Sequence, residues 1–424
     1  MAIVLGAIAD DFTGATDLAG LLARSGYPVS LRLGLPDPAE PVQQAASIEI
    51  IALKCRTIPK HQAIDQVLTA FAWFKARDIE QLYWKYCSTF DSTDTGNIGP
   101  VAEALMNALP TKQTIYCPAF PENNRNVFMG HLFVGENLLH ESPMRDHPLT
   151  PMRDSNLQRL LSPQVKGRVG LIDRNVVVKG SRAIRSRLRE LANDEVAHVI
   201  IDAINETDLE AIAEASQNLA LITGGSALAR PIPALFAARG LLDKRREDPV
   251  TRNVGEGQIV LSGSCSAMTL AQVEEYRKHA ASYQIDAVAL AESGTAAVID
   301  WISSLPAGTP KIVYATTDPS SLQAVQSKLG AQRAGAIVEE ALAEIAIAAF
   351  SHGIRRFVVA GGETSGAVAQ ALGVSRLVVG AEIAPGVPWT YASIHGTDVA
   401  FGLKSGNFGT PSFFSVALNM LEAA

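Results

Sequence analysis

The sequence predicts an α/β protein: two α/β domains with largely parallel sheets and a ligand cleft between them. Three observations predict it. Short apolar runs alternate with helix-length stretches along the chain, the pattern of βα units. Turns rich in glycine and hydroxyls follow several of those runs, at the strand ends where open parallel sheets bind ligands. Finally, 424 residues are enough for two cores, and the charged stretch Lys244-Arg245-Arg246-Glu247-Asp248-Pro249 reads as a linker, with the boundary near Asn253. We place the domains at residues 1–245 and 254–424.

In order, Ile3–Ala9 reads as a strand, followed by a polar turn and a helix over Asp17–Arg24 that stops at Gly26. Val29–Leu33, Ile48–Leu53, Leu82–Tyr86 and Thr114–Cys117 are further strands, with helices over Gln62–Ala76 and Val101–Leu109. Pro118 to Leu157 is irregular, and its aromatic and histidine content marks a functional loop. Alternation resumes with the strand Val196–Asp202, a helix near Asp208–Ala215 and the strand Leu219–Thr223. The second domain opens with Gln258–Leu261, a turn, and a helix over Thr269–His279. Val288–Leu290, Lys311–Ala315 and Phe357–Ala360 follow as strands, and Ala334–Phe350 is a long helix whose apolar face is a candidate homodimer surface.

Composition narrows the function. Hydrophobic residues are 47% and charged residues 19%, as in globular rather than disordered chains. A net charge of −7 offers no basic face for nucleic acid. Cys55, Cys87, Cys117 and Cys265 have no Cys-x-x-Cys spacing, so neither a zinc site nor a disulfide framework is indicated. Met1 to Ala9 lacks a basic leader, and no apolar run reaches the roughly 18 residues of a membrane span. The expectation is a cytoplasmic protein without nucleic-acid or membrane partners.

Four constellations carry chemistry. Asp10-Asp11-Phe12-Thr13-Gly14-Ala15-Thr16-Asp17 follows the first strand. Its carboxylates and hydroxyls suit a polyhydroxylated substrate, proton abstraction from a hydroxyl, or a magnesium ion. Thr16 or Asp17 is the expected helix cap, and the Asp10-Asp11 pair exceeds what a cap requires. Next, Lys85-Tyr86-Cys87-Ser88-Thr89-Phe90-Asp91 ends a strand in a lysine, hydroxyls and a carboxylate. Lys85, Ser88 and Asp91 are candidates there, whereas Cys87 reads as a small buried filler. In the irregular segment, Arg125 is suited to grip a carboxylate, and His131 and His147 to bind or to move a proton.

The fourth is an anion-binding set: Ser262-Gly263-Ser264, Gly361-Gly362-Glu363-Thr364-Ser365-Gly366, and Lys404-Ser405-Gly406-Asn407-Phe408-Gly409. Glycines let backbone N–H groups approach phosphates, and a helix start adds the positive end of its dipole. The Walker A, dinucleotide and protein-kinase motifs are absent. Two rivals stand beside a nucleotide enzyme. A hydrolase would use Thr364 in a G-x-S-x-G-like elbow with His395 and Asp398; a non-catalytic sugar-acid binder would leave the glycine turns idle.

Together these residues resemble the four-carbon acid sugar kinases over essentially the whole chain. Ala9–Asp17 and Gly361–Gly366 are hallmarks of that family. Lys85–Thr93, Gly130-His131-Leu132-Phe133-Val134 and His147-Pro148-Leu149-Thr150-Pro151-Met152 resemble its 3-oxo-tetronate kinase branch, and threonate and erythronate kinases differ most in those segments. Asn123-Asn124-Arg125-Asn126 is more polar than the family's loop. The resemblance implies an N-terminal sugar-acid-binding domain and a C-terminal nucleotide-binding domain. It implies ATP- and Mg²⁺-dependent phosphorylation of the C4 hydroxyl of a 3-oxo-tetronate, with a threonate or erythronate 4-kinase as the alternative. Ser264, Gly361–Ser365 and Gly406 would contact ATP. Arg125 or Lys85 would hold the acid's carboxylate, Asp10 and Thr13 with Ser88 and His147 would line its site, and Asp11 or Asp91 would accept the proton. The expected cleft would close to expel water.

Overall fold

The computed structural model describes residues 3–38, 46–147, 149–242 and 250–422. The expected linker Lys244–Pro249 and Pro148 lie outside them. The chain divides into two compact units, Met1–Glu247 and Asp248–Ala424.

The first unit holds β1 (Leu5–Ala9), β2 (Val29–Leu33), β3 (Ile48–Ala52), β4 (Gln81–Lys85), β5 (Thr114–Cys117), β6 (Arg125–Phe128), β7 (His131–Val134), β8 (Asn137–Leu138), β9 (Arg168–Ile172), β10 (Val196–Ile201) and β11 (Leu221–Gly224). Eight of these form one sheet in the order β2-β3-β1-β4-β11-β5-β10-β9. Every pairing in it is parallel. A parallel sheet is covered by helices on both faces, so its strands are apolar without alternation, as Leu5–Ala9 and Thr114–Cys117 are. Helix Lys60–Lys75 covers β1 closely enough that a Cβ on Gly6 would lie 2.8 Å from the Phe74 ring. That approach requires glycine in the middle of the strand.

Strand β1 sits between β3 and β4: the chain leaves it for β2 and β3 on one side, then crosses to β4 on the other. Ligands of open α/β sheets bind at such a reversal, beyond the carboxyl ends. The irregular segment contains a small antiparallel sheet, β6-β7-β8. Its first turn, Met129-Gly130, has φ of 50° and 73°, as a two-residue hairpin needs. The buried Asp202 holds that turn, accepting the N–H of Met129 at 2.6 Å, of Gly130 at 2.9 Å and of Arg174 at 2.9 Å.

The second unit holds β12 (Gly257–Ser262), β13 (Ala281–Gln284), β14 (Lys311–Tyr314), β15 (Ile354–Ala360), β16 (Arg376–Ala384), β17 (Val387–Ile394) and β18 (Thr397–Lys404), in the order β13-β14-β12-β15-β18-β17-β16. The first five in that order are parallel. Strands β16, β17 and β18 form an antiparallel meander closed by the His395-Gly396 turn, with φ of 49° and 79°. One expectation fails here. Val288–Leu290 is not a strand but part of helix Ala287–Ser293, capped by Asp286; the strand is the half-exposed Ala281–Gln284 just before it. The long helix, Ala331–Ser351, buries Leu342, Ile345, Ala346 and Ala349 within its own unit. Ile347 on the same helix is exposed.

Candidate functional site

In the first unit the site grows from the ends of β1, β3 and β4. Ala9 is level with both Ala52 and Lys85, so the residues that follow each strand converge. The backbone N–H of Arg56 donates to the Asp10 carbonyl at 3.2 Å, drawing the segment after β3 over the end of β1. Asn97 secures that segment, its amide donating to the carbonyls of Cys55 at 2.9 Å, Arg56 at 3.2 Å and Ile58 at 2.9 Å.

Arg56 then binds three carboxylates. Its fork reaches Asp10 twice, Nε to Oδ2 and Nη2 to Oδ1, both at 2.8 Å. Nη2 also donates to Asp11 Oδ1 at 2.7 Å, and Nη1 lies 3.4 Å from Asp91 Oδ2. Thr89 Oγ1 donates to the other Asp91 oxygen at 2.6 Å and lies 2.9 Å from Cys87 Sγ. Cys87 sits half-buried beside this group rather than fully buried, and burial, with the Asp91 charge, pushes its thiol up to about 12. Lys85 is buried, its Nζ donating to the Tyr86 carbonyl at 2.9 Å, and a Cβ on Gly14 would lie 2.6 Å from that ammonium.

The two adjacent carboxyls are pushed in opposite directions. Burial raises Asp10 despite its paired arginine. Burial also works against Asp11, but Arg56, Lys85 and the Gly14 N–H outweigh it and hold Asp11 low. Asp11 is also the helix cap: Oδ1 accepts from Gly14 N at 3.0 Å, and the helix runs Phe12–Ala23 rather than from Asp17. The expected caps, Thr16 and Asp17, are inside that helix. Thr16 bonds back to the Thr13 carbonyl at 2.9 Å. Asp17 is half-buried, and burial pushes its carboxyl up to about 6 against the opposing pull of Lys85 and the Ser226 hydroxyl.

Asp10, Asp11, Lys85 and Asp91 are therefore brought together, with Thr13 beside Asp11 in the first helical turn and Ser88 in the turn before Asp91. Arg125 and His147 lie outside this ion-pair group. The Arg125 guanidinium donates to the Asn123 carbonyl. His147 Nδ1 accepts from the Thr150 backbone N–H at 3.2 Å, and His131 Nδ1 lies 2.8 Å from the Met129 carbonyl. Arg56 was the residue sequence reasoning missed. Its signal was position, a cation a few residues past an apolar strand.

In the second unit a pocket of about 670 Å³ opens beyond the carboxyl ends of all five parallel strands. Gly263, Ser264 and Cys265 come from the turn after β12, Gln284 to Ala287 from β13, and Ala315 and Thr317 from β14. Gly361 to Thr364 and Gly406 follow β15 and β18. Ile285, Leu322, Val325, Ala334 and Val338 give the pocket an apolar wall. The first turn of helix Gly362–Ala371 lines the pocket, and its first backbone bond is Ser365 N to Gly361 O at 2.9 Å. The preceding N–H groups of that turn have no carbonyl behind them in the helix. Gly361 has φ of +125°, and a Cβ there would lie 2.9 Å from Thr364 Oγ1.

Seven residues of the predicted anion set line this pocket. Ser262 and Ser365 do not: Ser262 Oγ pairs with Thr316 Oγ1 at 2.7 Å, and Ser365 is buried under the glycine turn. The described lining includes the carboxylates Asp286, Glu339 and Glu363 but no lysine or arginine. Among the described residues no group of three or more His, Cys, Asp or Glu forms a metal site. No helix among them is long and apolar enough to cross a membrane.

The hydrolase arrangement fails on topology. Thr364 follows the carboxyl end of β15, level with Lys404, whereas His395 and Asp398 lie at the opposite end of the parallel β18. Six residue steps of strand, about 20 Å, separate Asp398 from Lys404. Asp398 is ion-paired with Arg252 at 2.6 Å.

Residues 5–232 match the family described as the sugar-binding N-terminal domain, and residues 259–414 the nucleotide-binding C-terminal domain. The chain is 48% identical to a 3-oxo-tetronate kinase of Cupriavidus necator, over 99% of this chain and 97% of that one. It is 46% identical to a 3-oxo-tetronate kinase of Burkholderia multivorans, over 99% and 98%. A solved Haemophilus influenzae structure superposes with a TM-score of 0.82 at 40% identity, covering 98% of this chain and all of the other. The chain belongs to the four-carbon acid sugar kinase family, in the branch whose curated relatives carry the name 3-oxo-tetronate kinase.

Proposed function

We propose that this chain is a 3-oxo-tetronate kinase that transfers the γ-phosphoryl group of ATP to the C4 hydroxyl of its substrate. The observation that carries the reading is the pairing of two sites of complementary chemistry. One is a carboxylate–guanidinium–ammonium group at the end of a parallel sheet; the other is a pocket with an apolar wall and a glycine-turn helix start. The first suits a small hydroxylated anion and the second suits a nucleotide.

Phosphoryl transfer needs alignment and charge stabilisation more than covalent help. The apolar wall receives the adenine, and the first turn of helix Gly362–Ala371 receives the phosphates. The residues fit Mg²⁺ in its usual mode, one or two carboxylates with the remaining ligands from phosphate and water, and Glu363 is the carboxylate of the glycine turn. Bound there, Mg²⁺ supplies positive charge to the phosphate oxygens. In the N-terminal unit Lys85 and Arg56 attract the acid's carboxylate, while Asp10 and Thr13, with Ser88, take its hydroxyls. Arg56 keeps Asp11 and Asp91 apart in a fixed geometry, and one of them accepts the C4 proton. Asp11→Asn lowers turnover by about 10²-fold or more if Asp11 is that base, and Asp91→Asn does so if Asp91 is.

The test is ADP formation with a panel of four-carbon acids. The reading expects the 3-oxo-tetronates to exceed threonate and erythronate in kcat/KM by at least about 10²-fold. Preference for either non-oxidised acid would move the chain to another branch of its family, and no ADP with any acid would remove the kinase reading.

A further inference from the structure

The nucleotide pocket has an acidic lining and no cationic side chain among its described residues, yet a lysine is buried directly behind it. Lys404 ends β18, 1% exposed, and ties together two of the pocket's turns. Its carbonyl accepts from the Gly361 N–H at 2.9 Å. Its ammonium donates to the Gly406 carbonyl at 2.9 Å and to Thr269 Oγ1 at 3.2 Å. Thr269 donates to the same Gly406 carbonyl at 2.8 Å. With two donors drawing that carbonyl inward, the trans peptide that follows turns its N–H, that of Asn407, the opposite way.

Resting on the nucleotide reading above, we propose that Lys404 is a positioning residue of the nucleotide site: it fixes the Gly406 turn and gains a full positive charge as phosphates bind. The groups facing its ammonium are the Thr269 hydroxyl from helix Ala267–Tyr276, the Gly406 carbonyl, and the Phe413 ring at 6.0 Å. None is charged. Cys265 and Glu363 are the titratable groups of the adjoining turns. Burial alone holds Lys404 down to about 7. Anionic oxygens arriving at the turns it supports favour its charged form, so the proton comes from solvent and binding is linked to its uptake.

Calorimetry of the full chain with ADP and Mg²⁺ tests this at pH 8, in two buffers of different ionisation enthalpy and without sugar acid. The native protein is expected to take up roughly 0.5–1 proton per ADP. Lys404→Met should bind ADP at least about tenfold more weakly and take up none. Lys404→Arg, permanently charged, should bind without uptake, and it covers the case in which the methionine variant fails to fold. Native binding of ADP without proton uptake overturns the role of Lys404 and leaves the nucleotide reading standing. No binding of ADP by the native protein overturns both.

Discussion

At the residue scale, Arg56 organises the N-terminal site. One guanidinium serves Asp10, Asp11 and Asp91, a task that a point-charge ammonium cannot reproduce. Arg56→Lys should therefore lower kcat/KM by about 10²-fold while the fold, followed by circular dichroism, is retained. A change within twofold would show that the fork is dispensable. Asp17 supports a prediction in pH. Its carboxyl titrates at 3.8 when unfolded and at about 6 in the fold, so the native state holds the proton more tightly between those values. The contribution of Asp17 to stability thus declines as pH rises from about 4 through 6. Asp17→Asn removes that dependence: relative to the native chain, the variant should gain about 1–3 kcal/mol between pH 4.5 and pH 8 in urea unfolding. Parallel profiles would contradict it. The acidic cluster itself was legible in the sequence because Asp10-Asp11 is more charge than a helix start requires. Arg56 was not, because a single arginine after a strand has no motif; only the register of β1, β3 and β4 brings it in.

At the scale of elements, the glycine turn after β15 is a conformational requirement as well as the proposed phosphate-binding surface. Valine at 361 would have to adopt a φ of +125° with its Cβ 2.9 Å from Thr364 Oγ1. Gly361→Val is therefore expected to weaken ADP binding at least about tenfold and to leave sugar-acid binding, titrated separately, within about twofold. Equal loss at both ligands would mean that the substitution unfolds more than the turn. The strongly apolar parallel strands were legible to within three residues, since burial on both faces leaves few polar interruptions. Strand β13 was not legible, because Ala281–Gln284 is only partly buried and carries little apolar signal. The run after it, Val288–Leu290, is apolar but helical, an ambiguity that short runs cannot resolve without their caps. The meander β16-β17-β18 left two local signs, the Pro385-Gly386 and His395-Gly396 turns.

For the whole molecule, the two units use one physical device for different ligands. Parallel strands end together, and the residues just past them form the site. In the N-terminal unit those residues are charged, whereas in the C-terminal unit they are glycines, hydroxyls and an apolar wall. The kinase account joins them by requiring phosphate to leave one ligand and appear on the other. The most direct measurement is phosphorus–proton correlation NMR of the product formed from ATP and a 3-oxo-tetronate by the full chain. The account predicts one ADP per product and a phosphoester coupled to the C4 protons. Inorganic phosphate alone, or an ester at another carbon, would contradict it.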